Sequence, residues 1–192
     1  MAAKASRTTA RKAGVKTLEQ AHGFVRAVGK CAIFADQRKN GPNLWDVVDL
    51  PEKKPGEKGW GQKIGAVWSW KNLLPATYPD EIFYGKDEGG RAVLMTLAHL
   101  AEEHYPRHHR PIEQCSPMAR KIYALVKVEP MTTTALRNAV AGKDKLLRAA
   151  FAKAMTELQV TLNIVRSNAP EIECDTWLRF SELYPNIPSH GK

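Results

Sequence analysis

SPMARKIYALVKVEPMTTTALRNAVAGKDKLLRAAFAKAMTELQVTLNIVRSNAPEIECDTWLRF, residues Ser116 to Phe180, is the stretch whose reading decides the fold. Ser116-Pro117 places a capping side chain before a proline at the first helical position. Met118, Ile122, Leu125 and Val126 then make one apolar stripe, and Glu129-Pro130 ends it. Thr132, Thr133 and Thr134 offer caps for a second helix carrying Leu136 and Val140, which Gly142 stops. The spacing predicts a third helix over about 143–158, with Leu147, Phe151, Ala154, Met155 and Leu158 facing inward. A strand over 161–165 follows, then a tip at 166–170 and a returning segment from Ile172, with Trp177, Phe180 and Tyr184 in a closing helix. Three helices and a hairpin in this order predict a winged helix, a helix-turn-helix with an appended β-ribbon.

The opposing face of the third helix carries Lys145, Arg148, Ala152, Thr156 and Gln159. It is small, polar and basic, which suits a major groove, although an ordinary solvated face has the same composition. Arg166 at the wing tip is placed to meet phosphate or the minor groove. From His104 to Asn168 there are 11 Lys+Arg against 4 Asp+Glu, so this stretch supplies +7 of the chain's net +9. Such a balance predicts attraction to double-stranded DNA.

Upstream, residues 1–16 contain five cations and no acid and read as a disordered basic tail. Thr17 caps a helix that ends near Phe34, with Gln20 at the box position. A short helix follows Pro42-Asn43, and a loop spans 51–61. Helical spacing returns from Ile64 to Leu74. Ile82–Tyr84 and Ala92–Met95 then form a hairpin about Gly89-Gly90. Thr96 caps a helix from Leu97 to Tyr105, stopped by Pro106. The expected organisation is therefore α+β, with a C-terminal winged helix-turn-helix (116–187) packed with a smaller N-terminal helical and β-hairpin unit (17–106). A basic linker at 107–115 joins them, and its Arg107 and Arg110 are further candidates for phosphate contact.

Few residues suggest chemistry. His104, His108, His109 and Cys115 invite a zinc reading, since His-x₃-His places two rings on one helical face. Pro106 in the interval argues against that helix, so no metal and no other cofactor is expected. Trp68 and Trp70 cannot both be buried on one helix face, so one of them is a candidate for stacking on a base. Asp36, in a loop beside Arg38 and Lys39, is the weak candidate for a water-activating carboxylate. No GxGxxG, P-loop or GxSxG pattern occurs.

With 192 residues and 43% hydrophobic content, the chain can fill one large core or two small ones. No apolar run approaches the roughly 20 residues needed to cross a bilayer, so no membrane association is expected. Cys31, Cys115 and Cys174 are far apart and odd in number, which predicts a reducing cytoplasm.

Several motifs resemble those of the AlkZ-related winged-helix proteins, relatives of bacterial DNA glycosylases that unhook interstrand crosslinks. They are Trp68-x-Trp70-Lys71 before Leu74-Pro75, Ile82-Phe83-Tyr84-Gly85-Lys86 followed by Arg91, Leu158-Gln159 entering the 162–165 strand, and Trp177 with Tyr184-Pro185. The resemblance spans roughly residues 20–187. It implies DNA binding linked to repair or regulation, with base excision from alkylated or crosslinked DNA as one alternative. The family's glycosylases use a Gln-x-Gln-type pair, whereas the glutamines here, at 20, 37, 62, 114 and 159, never fall two apart. No catalytic residue carries over. A second alternative is a winged-helix protein-interaction module with a protein partner.

Overall fold

A computed structural model describes residues 14–35, 41–169 and 175–187. They form an α+β structure with two three-stranded antiparallel sheets. In the amino-terminal half, helix α1 (Leu18–Val28) starts at Thr17, whose hydroxyl accepts from the Gln20 N–H. It ends at Gly29, where φ is 71°, rather than near Phe34. Gly29 takes the left-handed conformation without a Cβ penalty, which turns the chain into strand β1 (Lys30–Ala32). The periodicity concealed that strand because it is only three residues long. Val15 is already packed: it is buried and pairs with Val48, so packed structure precedes Thr17. Residues 1–13, most of the expected basic tail, lie outside the described residues, as does Asp36.

Helix α2 (Leu44–Val47) is capped by Asn43. Helix α3 (Gln62–Thr77) runs past Pro75 instead of ending at Leu74. A proline so near the carboxyl end removes one intrahelical bond in a turn where bonds are already incomplete. Strands β2 (Ile82–Lys86) and β3 (Ala92–Thr96) make the expected hairpin, and β1 joins its far edge in the order β1-β3-β2. A Cβ on Gly85 would lie 2.3 Å from Phe83 Cζ, so glycine is what lets that ring fold back over the strand.

The helix after Thr96 does not stop at Pro106. It runs as α4 (Leu97–His99), a π-turn at Leu100–His104, and α5 (Tyr105–His108). The Tyr105 N–H reaches back five residues to Leu100 O. A proline in a regular α-helix clashes with the carbonyl four residues earlier. The widened turn ends just ahead of Pro106, the kind of local insertion by which helices accommodate such residues. His104 and His108 therefore do share one helical face, with ring centroids 4.5 Å apart.

In the carboxyl-terminal half, the order is α6 (Pro117–Val126), β4 (Met131–Thr132), α7 (Thr133–Ala141), α8 (Lys145–Val160), β5 (Ile164–Arg166), β6 (Thr176–Arg179) and α9 (Phe180–Leu183). Ser116, Thr132 and Asp144 cap α6, α7 and α8. Gly142, with φ of 52°, closes α7. The sheet order is β4-β6-β5. Trp177 lies in β6 rather than in the closing helix, which begins at Phe180. Leu162 precedes the strand in a left-handed turn, φ 55°. The turn is held by Asn163, whose side-chain amide donates to Arg110 O (3.0 Å) and Thr161 Oγ1 (2.8 Å). The segment read as a linker is thus hydrogen-bonded to the end of α8.

Three apolar clusters hold these parts. One lies among α6, α7, α8 and β6, and a second among α1, α2, α3 and the first sheet. The third spans the halves. Phe83, Val93 and Met95 of the hairpin, Leu100 and Tyr105 of the helical run, and Leu162, Val165, Phe180 and Tyr184 pack together. The two sheets therefore share a core.

Candidate nucleic-acid interface

Helix α8 presents its two ends differently. Asp144 Oδ1 accepts from the N–H groups of Leu146 (2.8 Å) and Leu147 (2.9 Å), satisfying donors that a helix start leaves open. The first turn overhangs the packed core, and burial begins only at Phe151. Leu147, expected inside, is 42% exposed for this reason, and Leu146 is more exposed still. Lys143, Lys145 and Arg148 are exposed on the same overhang, with Arg148 Nε donating to Gly142 O (2.8 Å). Further along, the face is covered. Thr156 lies under the hairpin turn, where a Cβ on Gly90 would sit 3.3 Å from its methyl. Gln159 lies beside Phe83, Tyr84 and Gly85, and its amide donates to Met155 O.

A second cluster joins α3, β2 and the second sheet. Val67, Trp70, Lys71 and Leu74 follow the i, i+3, i+4, i+7 stripe of a core-facing helix, and all four are buried. Lys71 is only 7% exposed. Its ammonium lies 4.3 Å from the Trp68 ring centroid and 5.3 Å from that of Tyr84, and donates to Asn72 Oδ1 at 2.9 Å. Burial, and then the nearby Arg166, depress its pKa, while Asp175 opposes the shift. Burial pushes the Tyr84 hydroxyl up. The Arg166 side chain is 12% exposed. Its guanidinium stacks 4.8 Å over Tyr84, donates to Asn72 Oδ1 at 2.5 Å and pairs with Asp175 at 3.4 Å. Arg166, the last residue of β5, is thus turned into the junction between the halves. Trp68 is 46% exposed and meets the exposed Trp60 edge to face, 5.6 Å between centroids. Trp70 is buried, so of the two stacking candidates only Trp68 is exposed.

A model of the AlkZ-related family matches residues 15–173. That is most of the chain, and it covers every residue of the two clusters except Asp175. The chain belongs to the AlkZ-related family. No curated protein and no solved structure matches it.

The remaining candidates of this AlkZ-related chain are dispersed. Arg107 pairs with Glu103 within the helical run, and Arg110 lies 3.8 Å from Glu157. His109 stacks on Tyr105 with its Nδ1 3.2 Å from Thr161 O, and Cys115 is buried and unpaired, as is Cys31. His104 is buried, and desolvation lowers its pKa to about 4, so it is neutral near pH 7. No helix among the described residues is long and apolar enough to cross a membrane. The residues that sequence reasoning passed over are Lys71, Asn72, Tyr84 and Asp175. Lys71 had a signal: a lysine on a core stripe is rarely buried without a role or a partner. The other three are neighbours only through the fold.

Proposed function

We propose that this AlkZ-related chain binds double-stranded DNA, in repair or regulation, through residues 116–187 acting as a winged helix. The observation that carries the reading is the exposed cationic overhang of Lys143, Lys145 and Arg148 at the amino end of α8. In helix-turn-helix proteins it is the amino-terminal residues of the recognition helix that meet base edges. Thr156 and Gln159, covered by the hairpin, are then support for that helix, and Arg107 and Arg110 are outlying phosphate contacts. Buried unpaired Cys31 and Cys115 support a reducing, cytoplasmic setting. The test is fluorescence anisotropy with a labelled duplex over a range of salt. Binding through several phosphate contacts makes log affinity fall linearly with log salt. Salt-insensitive binding, or none at low salt, refutes the reading.

One observation favours base excision as a second reading. Trp68 stands exposed directly over Lys71, a buried amine whose pKa is depressed. A flipped base needs an aromatic surface and polar groups beside it. Incubation with alkylated or crosslinked duplex followed by alkali tests this. Strand breaks lost in Trp68→Ala and Lys71→Met support excision, and their absence with every lesion leaves binding alone. The exposed Leu146 and Leu147 on the same overhang favour a protein partner instead, should association prove insensitive to salt.

A further inference from the structure

We propose that Glu88, His104 and His108 form a site for one divalent transition-metal ion, with zinc the first candidate. A helix break at Pro106 would hold the two histidines apart. The π-turn removes that break and leaves His104 and His108 one turn apart on a continuous helical run. Glu88, in the turn between β2 and β3, completes the group: one ligand atom from each residue lies within 4.8 Å of the others.

The cluster is built, not merely adjacent. His104 is 2% exposed, and its Nε2 has no hydrogen-bond partner. A buried polar atom left without a partner costs on the order of 1–3 kcal/mol, so it calls for an explanation. The ring's other contact is to the backbone of Lys86. A ligating histidine usually donates its second N–H to a carbonyl, which fixes the tautomer and aims the free nitrogen. Here the nitrogen left free is Nε2. Glu88 is also oriented, by Lys30 Nζ at 3.2 Å, and it is exposed to solvent.

Two imidazoles and one carboxylate suit zinc and its transition-metal neighbours, whereas magnesium and calcium prefer all-oxygen shells. Three protein ligands leave a fourth position for water or another small ligand. The ion would tie the hairpin turn to the helical run.

The experiment uses the full chain, stripped with a chelator and titrated with zinc against a chromophoric competitor. Cobalt is added in parallel to read the visible bands of a four-coordinate site. His108→Ala and Glu88→Gln are the informative variants, because both positions reach solvent and neither belongs to an apolar core; circular dichroism checks their fold. The expected result is one equivalent of zinc per chain, with affinity falling by at least roughly 10-fold in each variant, since even outer-shell changes cost that much. Absence of stoichiometric uptake, or uptake equal in wild type and both variants, overturns the assignment.

Discussion

Replacing Phe180 with alanine should loosen both halves of the molecule at once. Phe180 is 2% exposed, and its ring centroid lies 6.3 Å from that of Phe83, 5.4 Å from Tyr105 and 5.3 Å from Tyr184. Those partners come from the hairpin, the helical run and the carboxyl-terminal segment. A buried Phe→Ala change costs about 3–5 kcal/mol through lost transfer energy and a residual cavity. Aromatic pairs add roughly 0.5–1.5 kcal/mol each beyond their buried area, which places this site near the upper end. For a chain of this size each kcal/mol lowers Tm by about 2–4 °C, so a fall of roughly 8–20 °C is expected. The assay is thermal unfolding followed by two probes. Four of the five tryptophans (Trp45, Trp60, Trp68 and Trp70) lie in the amino-terminal half and report it by fluorescence, while far-ultraviolet circular dichroism follows all the helices. Both probes should shift together. A fall below about 3 °C, which is under 2 kcal/mol by the same scaling, or a shift in circular dichroism with unchanged fluorescence, refutes the shared core. Val128→Ala, at an exposed position, is the control.

Arg166→Ala should reduce stability by about 1.5–3 kcal/mol, the range for hydrogen bonds to a charged group, because it releases Asn72, Asp175 and Tyr84 together; urea titration measures this, and an unchanged midpoint contradicts the junction role. Lys71→Met should gain most over wild type near neutral pH. A lysine with a depressed folded pKa binds fewer protons than in the unfolded chain, so its burden is full below the folded pKa and fades as pH rises toward 10.5. Urea midpoints at pH 7 and pH 10 test the sign, and a Met-minus-Lys difference that stays constant or grows is the contrary result. Trp68→Ala should leave Tm within a few degrees yet weaken binding to single-stranded or lesion-containing DNA. Base stacking on an aromatic is worth about 1–3 kcal/mol, and equal affinities of the two proteins would remove Trp68 from the interface.

The carboxyl-terminal half was legible because its punctuation is local. Ser116-Pro117, Thr132 and Gly142 each act within one turn of helix, and the structure uses all three as caps. The hairpin at 82–96 was legible for the same reason. What escaped were features set by packing. β1 is too short for alternation to register, and Gly29 reads as an interruption within an apolar run. The fate of Arg166, Thr156 and Gln159 depends on where the amino-terminal hairpin lies, which no spacing rule contains. Pro106 misled because its usual effect assumes a regular α-helix. A single π-turn reverses the conclusion and brings His104 and His108 together. Lys71 shows the opposite case, a residue whose burial was written in the helical stripe and whose partners were not.

The most direct test of the DNA-binding account compares wild type with a Lys145→Ala/Arg148→Ala variant on one labelled duplex, by fluorescence anisotropy across a salt series. Both side chains are exposed, and neither lies in an apolar cluster, so the fold should stay intact. Each phosphate contact contributes about 0.9 to the log–log salt slope. The account predicts weaker binding, with a slope lower by about 2 in magnitude and an unchanged Tm. Equal affinity and equal slope for the two proteins would contradict it.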